Sequence, residues 1–566
     1  MSRPGSLARS APSGGARPSA RRSATTLRLR PWQRAALDAY ESSDRTDFLA
    51  VATPGAGKTT FALTTARLTL PKLNRRLVVV APTRHLKTQW AEAAERFGLH
   101  LDADWAPGQP LPADLHGVVT TYQQVATAAD ALRTVVDGGM VILDEVHHAG
   151  AELAWGEGVS TAFEPAVRRL ALSGTPFRSD TAAIPFLRYV GEQVVPDIEY
   201  GYGEALADGG VVRPVYFPRF GGHMEWTAPD GATLAATFDD PLPRSLANQR
   251  LRAALSLDGE WLPTVLSHAH RQLGQIRERQ PDAGGLVIAS DQDHAQAIAR
   301  LLRDRFRVIA TVAVSEDSDA SNKIDRFANG VDPWIVAVRM VSEGVDIPRL
   351  RVGVHATTTT TELFFRQAVG RIVRYTGGRA RAYMYVPDDP RLRHYANTIA
   401  ESRRHRLKHH AETEAERAEA ADRDMEADQL SLFAVHSSTA TAEPTEVDEL
   451  FAQVDEPSVP EPPPGSDADP SLVIDLDALP PVGPDDGRGD RGGRAERERQ
   501  RSINNNLVRE LATLTGQSHA QVNAELNKQS GVTRVAQATV SELERRARIA
   551  NQWLDREHRR RPGSAR

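Results

Sequence analysis

The chain contains no cysteine among its 566 residues. That excludes disulfides and any thiolate-ligated metal site. It also lacks an apolar run near the ~20 residues that a membrane-spanning helix needs. The first residues are rich in arginine but have no apolar segment of the kind a secretory signal carries, so the cytoplasm is the expected compartment. Neither sign of charge dominates: 69 Lys and Arg against 74 Asp and Glu leave a net charge of −5. A uniformly basic nucleic-acid coat is thereby excluded. The average hides asymmetry, because acids gather between residues 440 and 490 while residues 1–26 carry none. No internal repeat is present.

Two segments carry most of the chemistry. Residues 52–59 read Ala-Thr-Pro-Gly-Ala-Gly-Lys-Thr, directly after the apolar run Phe48-Leu49-Ala50-Val51. A glycine turn lets backbone N–H groups close around phosphate oxygens, and the N-terminus of the following helix adds a favourable dipole. Thr53, Pro54, Gly55, Ala56, Gly57, Lys58, Thr59 and Thr60 are therefore candidate nucleotide-binding residues. Lys58 can reach the β- and γ-phosphates, and Thr59 can ligate Mg²⁺. Downstream, Asp144-Glu145 follows the apolar run Met140-Val141-Ile142-Leu143. Asp144 can hold the same metal ion, and Glu145 can orient and deprotonate an attacking water. Phosphoryl transfer from ATP, with Mg²⁺ as cofactor, is the expected reaction. The strict phosphate-loop pattern has glycine where this chain has Ala52.

Further motifs follow in order: Gln33, Ala81-Pro82-Thr83-Arg84, Thr120-Thr121-Tyr122-Gln123, Asp144-Glu145-Val146-His147-His148 and Ser173-Gly174-Thr175-Pro176-Phe177-Arg178. Then come Ser342-Glu343-Gly344-Val345-Asp346-Ile347-Pro348 and Gln367-Ala368-Val369-Gly370-Arg371-Ile372-Val373-Arg374. This series resembles superfamily 2 helicases of the DEAD/DEAH-box type over residues 27–395, and in that family the phosphate loop often begins with Ala. The Asp-Glu-Val-His version and the Pro31-Trp32-Gln33 opening look more like DNA-repair and restriction-type members than RNA-processing ones.

The resemblance implies further roles. Gln33 would read the adenine, and Ser173 and Thr175 would couple the nucleotide state to the nucleic-acid cleft. Gly344 and Asp346 would approach the ribose and the lobe interface. Gln367, Arg371 and Arg374 stand at three- and four-residue spacing, which predicts one shared helix face; the two arginines look like fingers supplied across the cleft. Thr83, Arg84, Thr120, Thr121 and Ser290 are candidate phosphate contacts to DNA, of a kind that carries no sequence information. His147 and His148 could instead suggest zinc, but no matching partners stand in register.

The expected fold class is α/β: two tandem RecA-like parallel-sheet lobes, a disordered linker and a small α-helical C-terminal unit. Residues 1–26 read as a disordered basic tail. Residues 27–205 alternate apolar strands with amphipathic helices and form the ATP-binding lobe. Residues 206–395 form a second α/β lobe, with nothing like a second phosphate loop. Residues 396–433 are a charged helical extension. Residues 434–498, rich in Pro, Gly, Ser, Asp and Glu, read as a disordered linker dispensable for ATP hydrolysis. Residues 499–556 form a three-helix unit, opened in its third helix by the capping box Thr539-x-x-Glu542. Residues 557–566 are a basic tail. Arg545-Arg546 and Arg559-Arg560-Arg561 make the ends of the unit basic, which suggests binding to DNA or to a replication partner.

Gln429-Leu430-Ser431-Leu432-Phe433 is similar to the pentapeptide with which bacterial DNA polymerases and repair proteins bind the sliding clamp. Leu432 and Phe433 would enter an apolar pocket, and Gln429 would fix orientation through its amide. The expected function is an ATP-dependent DNA helicase or translocase in bacterial replication, repair or recombination. An RNA helicase, and an ATP-gated DNA-bound scaffold that does not move, are the alternatives.

Overall fold

The computed structural model describes residues 26–560, apart from 110, 151–152, 175–182, 192, 229–231, 315–318, 339–346, 376–380, 404–471, 477, 481, 483–493 and 536–537. Apolar runs become buried parallel strands, as expected for strands covered on both faces. After β1 (Thr26–Arg28), which stands outside the first sheet, come β2 (Asp47–Ala52), β3 (Leu77–Ala81), β4 (Leu101–Asp102), β5 (Gly117–Thr121), β6 (Met140–Leu143) and β7 (Arg168–Ser173). A short hairpin, β8 (Tyr189–Val190) with β9 (Gln193–Val194), precedes β10 (Ile198–Tyr200). The first sheet has the all-parallel order β10-β2-β7-β6-β3-β5-β4. Its helices are α1 (Pro31–Ser42), α2 (Lys58–Leu73), α3 (Arg84–Glu95), α4 (Tyr122–Val136), α5 (Leu153–Phe163) and α6 (Tyr202–Ala207).

The second lobe repeats the plan. Strands β11 (Val215–Tyr216) and β12 (Arg219–Phe220) both pair with β19 (Ala382–Pro387). A hairpin of β13 (His223–Thr227) and β14 (Thr233–Thr237) forms a separate two-stranded sheet that buries Met224 and Ala236. The core strands are β15 (Gly284–Ala289), β16 (Ala310–Ala313), β17 (Trp334–Val338) and β18 (Leu350–Ala356), in the order β11-β19-β18-β15-β17-β16. The helices are α7 (Arg244–Leu255), α8 (Trp261–Arg279), α9 (Gln292–Phe306), α10 (Ala320–Asn329) and α11 (Glu362–Ile372). Two RecA-like helicase lobes are therefore present, and in the first the phosphate loop, Asp144-Glu145 and Ser173-Gly174 sit at the C-terminal ends of β2, β6 and β7, where ligands bind in such sheets.

Part of the stretch 434–498 departs from the linker expectation. Val473–Asp475 forms strand β20, antiparallel to β1. Leu472 and Leu476 are buried, and Ile474, Leu479 and Val482 pack on the core of the first lobe. Arg67 of α2 donates to the carbonyls of Pro480 (2.6 Å) and Leu479 (3.2 Å), and His116 Nε2 donates to the Val482 carbonyl (2.9 Å). Five apolar side chains inside an acidic, proline-rich stretch suffice for docking, and an average over the whole segment hides them.

The C-terminal helices run over Arg494–Thr515, His519–Ser530 and Val540–Arg560. They enclose a core of Val508, Leu511, Val522, Leu526, Ala550 and Leu554. Arg546, expected at a basic surface end, is instead 1% exposed at the centre. It donates to Asn504 (2.9 Å), Asn523 (2.6 Å) and Asn527 (2.9 Å), tying the three helices together. The unit is fixed to the first lobe through Asp114. Its Oδ2 meets Arg497 Nη2 at 2.6 Å and accepts from the Val540 amide at 3.0 Å.

Candidate active site

The turn between β2 and α2 is built by glycines that other residues could not replace. Gly57 has φ +89°, and a β-carbon there would stand 2.6 Å from Gln33 Nε2. Gln33 is buried; its Nε2 donates to the Gly57 carbonyl (2.9 Å), and its Oε1 accepts from the Arg30 amide (2.8 Å). Arg30 Nη1 and Trp32 Nε1 donate to the carbonyls of Gly55 (2.7 Å) and Ala56 (3.0 Å). Gln33 is thus seated on the phosphate loop, and Arg30 and Trp32 share the task. The amides of Lys58, Thr59 and Thr60 open α2, where helical N–H groups have no partner within the helix.

Lys58 Nζ lies 3.1 Å from Glu145 Oε1 and donates to the Ala52 carbonyl at 3.2 Å. Glu145 Oε2 accepts from the Gly174 amide at 3.0 Å. Three separate motifs therefore meet at one carboxylate. Glu145 has φ +46°, a left-handed backbone that costs a non-glycine residue about 1–3 kcal/mol and that clusters at functional sites. Asp144 Oδ2 accepts from Trp90 Nε1 (2.8 Å), and its carbonyl accepts from the Tyr122 hydroxyl (2.9 Å).

The two carboxyls are pushed apart in acidity. Burial and the neighbouring Glu145 charge raise Asp144 to about 6. Burial alone would raise Glu145 too, but the Lys58 charge, with hydrogen bonds from Lys58 and from the Gly174 amide, holds it well below the usual carboxylate range. Burial lowers His147 to about 3, so its ring is neutral at physiological pH. The donor set of Thr59 and Asp144 is all oxygen, which fits Mg²⁺, an ion that keeps several waters and needs few protein ligands. Among the described residues no group of three or more His, Cys, Asp or Glu could hold a metal.

The second lobe closes on this turn. A β-carbon on Gly370 would stand 2.4 Å from Pro54 Cγ, so the backbone of α11 rests directly on the phosphate loop. Gln367 Nε2 lies 3.1 Å from His147 Nε2. Arg371 is half-buried on α11. Arg374 is not on the expected helix face: α11 ends at Ile372, and Arg374 pairs with Val212 in an isolated bridge. Its Cγ nonetheless lies 3.4 Å from where a β-carbon on Gly55 would be. Val373 and Val369 end the helix in an αR cap, and the chain then turns to meet the interlobe connection. Arg213 of that connection donates from its side chain to the Arg374 carbonyl (2.7 Å) and from its backbone to Val373 (2.7 Å).

The remaining candidates are placed unevenly. Ser173 is fully buried at the end of β7, opposite Val51. Thr83 caps α3, its hydroxyl accepting from the Leu86 amide, and Arg84 beside it is exposed. Thr120 and Thr121 are 2% and 5% exposed, and Thr121 caps α4 by accepting from Gln124. Ser290 Oγ donates to the Ala356 carbonyl at 3.4 Å. Thr175, Gly344, Asp346 and Gln429-Leu430-Ser431-Leu432-Phe433 lie outside the described residues. Trp90, Tyr122, Arg30 and Arg213 contribute to the site without having been singled out. Tyr122 stands within a quoted motif; Trp90 and Arg213 carry no local signal.

Fold and site together are of the superfamily 2 helicase type: a phosphate loop on one RecA-like lobe, and arginines from a second lobe brought to it. Two domain families are matched, Type III restriction enzyme, res subunit, over residues 26–178, and Helicase conserved C-terminal domain over residues 268–376. An uncharacterized protein of Mycobacterium tuberculosis is 46% identical over 388 residues, which are 67% of this chain and 64% of the relative. The chain thus spans less than two thirds of that relative's length. The DNA 3′-5′ translocase XPB2 of Sulfurisphaera tokodaii is 26% identical over 366 residues, 62% of this chain and 79% of that one. Among solved structures, S. cerevisiae Dbp5 bound to RNA and ADP BeF3 is similar with a TM-score of 0.43 and 13% identity, over 66% of this chain and 87% of that one.

Proposed function

We propose that this protein is an ATP-dependent DNA helicase or translocase that acts in DNA replication, repair or recombination. The observation that carries the proposal is the meeting of Lys58, Glu145 and Gly174 on one lobe with Gly370 and Arg374 of the other at a single phosphate loop. ATP would enter between the lobes, its phosphates taken by Lys58 and by the amides that open α2. Thr59 and Asp144 would hold Mg²⁺, which would supply positive charge to offset that of the phosphates. Glu145, ionised beside Lys58, would orient and deprotonate water once phosphate draws Lys58 away from it. Arg371 and Arg374 would stabilise charge developing on the transferred group, a contribution worth about 10³–10⁵ in rate in such enzymes. Hydrolysis would then release the lobes from one another.

DNA rather than RNA is favoured by the translocase relative and by the restriction-type domain over residues 26–178. Arg84 is the exposed member of the phosphate-contact candidates; at Thr120 and Thr121 a contact would have to use backbone groups. The clamp-like pentapeptide at 429–433 is proposed as a tether to a bacterial sliding clamp. Its test is binding of a peptide spanning 425–437 to such a clamp, with Leu432→Ala plus Phe433→Ala as control; equal binding by both, or by neither, defeats it. The motor itself is tested by the dependence of ATP turnover on duplex DNA, single-stranded DNA and RNA, beside strand-displacement and triplex-displacement assays.

A further inference from the structure

The last helix, Val540–Arg560, buries one face and presents another that is made of arginine. Ala550 and Leu554 enter the core of the terminal unit, and Leu543 enters a second small cluster with Val532 and Ala538. Arg545, Arg548, Arg556 and Arg559 are exposed. At 100° per residue these four and Gln552 fall within an arc of about 80°, and Arg545 to Arg559 spans about 21 Å. No acid lies within that arc; Glu544 and Asp555 stand at its margins. Among the described residues none of the four is ion-paired. Arg556 and Arg559 use only Nε, donating to the carbonyls of Gln552 (3.2 Å) and Asp555 (3.1 Å), which leaves their terminal nitrogens for a ligand.

Glu544 and Asp555 stand four residues before Arg548 and Arg559, the spacing at which opposite charges attract along a helix, yet among the described residues neither pair forms an ion pair, and both acids lie outside the arc. Residues 494–560 contain 13 Lys and Arg against 8 Asp and Glu, a local balance of +5 within a chain of −5. The unit does not hang free, because Asp114 clamps Arg497 and the Val540 amide. Asp114 precedes β5, at the N-terminal end of the strands, whereas the phosphate loop lies at their C-terminal ends. The stripe therefore belongs to a site separate from the interlobe cleft.

We infer that the arginine stripe of Val540–Arg560 is a second nucleic-acid contact, fixed on the first lobe, that binds the phosphate backbone of duplex DNA without reading sequence. Its reach covers about six phosphate steps of one strand at 3.4 Å each. Because it is carried by one lobe, it works whether the lobes are open or closed. The inference rests on the DNA reading above for its choice of polyanion, but not on ATP hydrolysis.

The experiment measures binding of the full-length protein to a fluorescent 30-base-pair duplex as a function of salt, without nucleotide and with a non-hydrolysable ATP analogue. The variants carry Arg→Gln or Arg→Lys at 545, 548, 556 and 559 together. The glutamine variant should bind at least about ten-fold more weakly near 0.1 M salt, with a log–log salt slope shallower by about 3 to 4, roughly 0.9 for each lost phosphate contact. The lysine variant should restore most of the slope, because point charges suffice for phosphate. Both changes should be the same with and without the analogue, and basal hydrolysis without DNA should be unchanged. An unchanged slope and affinity in the glutamine variant overturns the inference. So does loss of binding to vesicles containing phosphatidylserine with DNA binding intact, which would assign the stripe to a membrane surface. If DNA fails to stimulate hydrolysis in the wild type while the slope still changes, the motor proposal falls and the stripe stands.

Discussion

The proposed chemistry turns on Glu145. Glu145→Gln should retain ATP binding but lose about 10²–10⁴ in turnover, the range for a general base, and should trap the closed lobes on DNA. Near-native turnover by that variant, measured by phosphate release, would remove Glu145 from its role. Lys58→Ala should instead weaken nucleotide binding, measured by displacement of a fluorescent ATP analogue. Acidity gives a second handle. Asp144 is raised to about 6 by burial and by Glu145, so lowering the pH from 7 to 5 protonates the group that would hold the metal. Glu145 stays ionised over that range. The profile of kcat/KM for ATP should therefore fall on the acid side near pH 6. In stability terms, a carboxyl raised above its ordinary 3.8 favours the folded state below that pH, and the benefit is lost as pH rises through 6. That Lys58 and the Asp144-Glu145 pair belong to one site was legible in the sequence, because each follows an apolar strand of the same sheet. Trp90 was not, because its contact with Asp144 crosses 54 positions and depends on how α3 packs.

Helices and strands put these residues together, and two joints are decisive. The first is α11 on the phosphate loop. Gly370→Val should press on Pro54, part the lobes and cut turnover at least about ten-fold, while thermal unfolding of each lobe stays close to wild type. Wild-type turnover in that variant would show that the contact is not used. The second is the strap around β20. Leu476→Ala should cost about 2 kcal/mol, or a fall in Tm of about 4–8 °C for a lobe of this size. A chain ending at Phe433 should for the same reason lose stability and nucleotide affinity, since the strap holds β1 beside Arg30 and grips α2 through Arg67. That reverses the expectation that residues 434–498 are dispensable. The apolar strands of both lobes were legible because buried parallel strands are near-continuous runs of Val, Ile, Leu and Ala. The strap was not, because five apolar residues in a proline-rich acidic stretch do not resemble a core until a partner surface exists. Arg374 was placed by helical spacing on a helix that ends two residues earlier.

At the scale of the whole chain, two lobes, a returning strap and a clamped helical unit make one body around an interlobe site. The order of motifs predicted both lobes and their tandem arrangement. It could not predict that the described residues around 472–482 and 494–560 pack on the first lobe, because Asp114, Arg497 and the Val540 amide are brought together only by tertiary structure. The most direct test of the central claim is the rate of ATP hydrolysis by the full-length protein alone and with saturating duplex DNA, single-stranded DNA or RNA. A motor that couples the Lys58–Glu145–Arg374 site to DNA should turn over several-fold faster with at least one form of DNA than with RNA or with no nucleic acid. Hydrolysis that is absent, or equal under all four conditions, would contradict it.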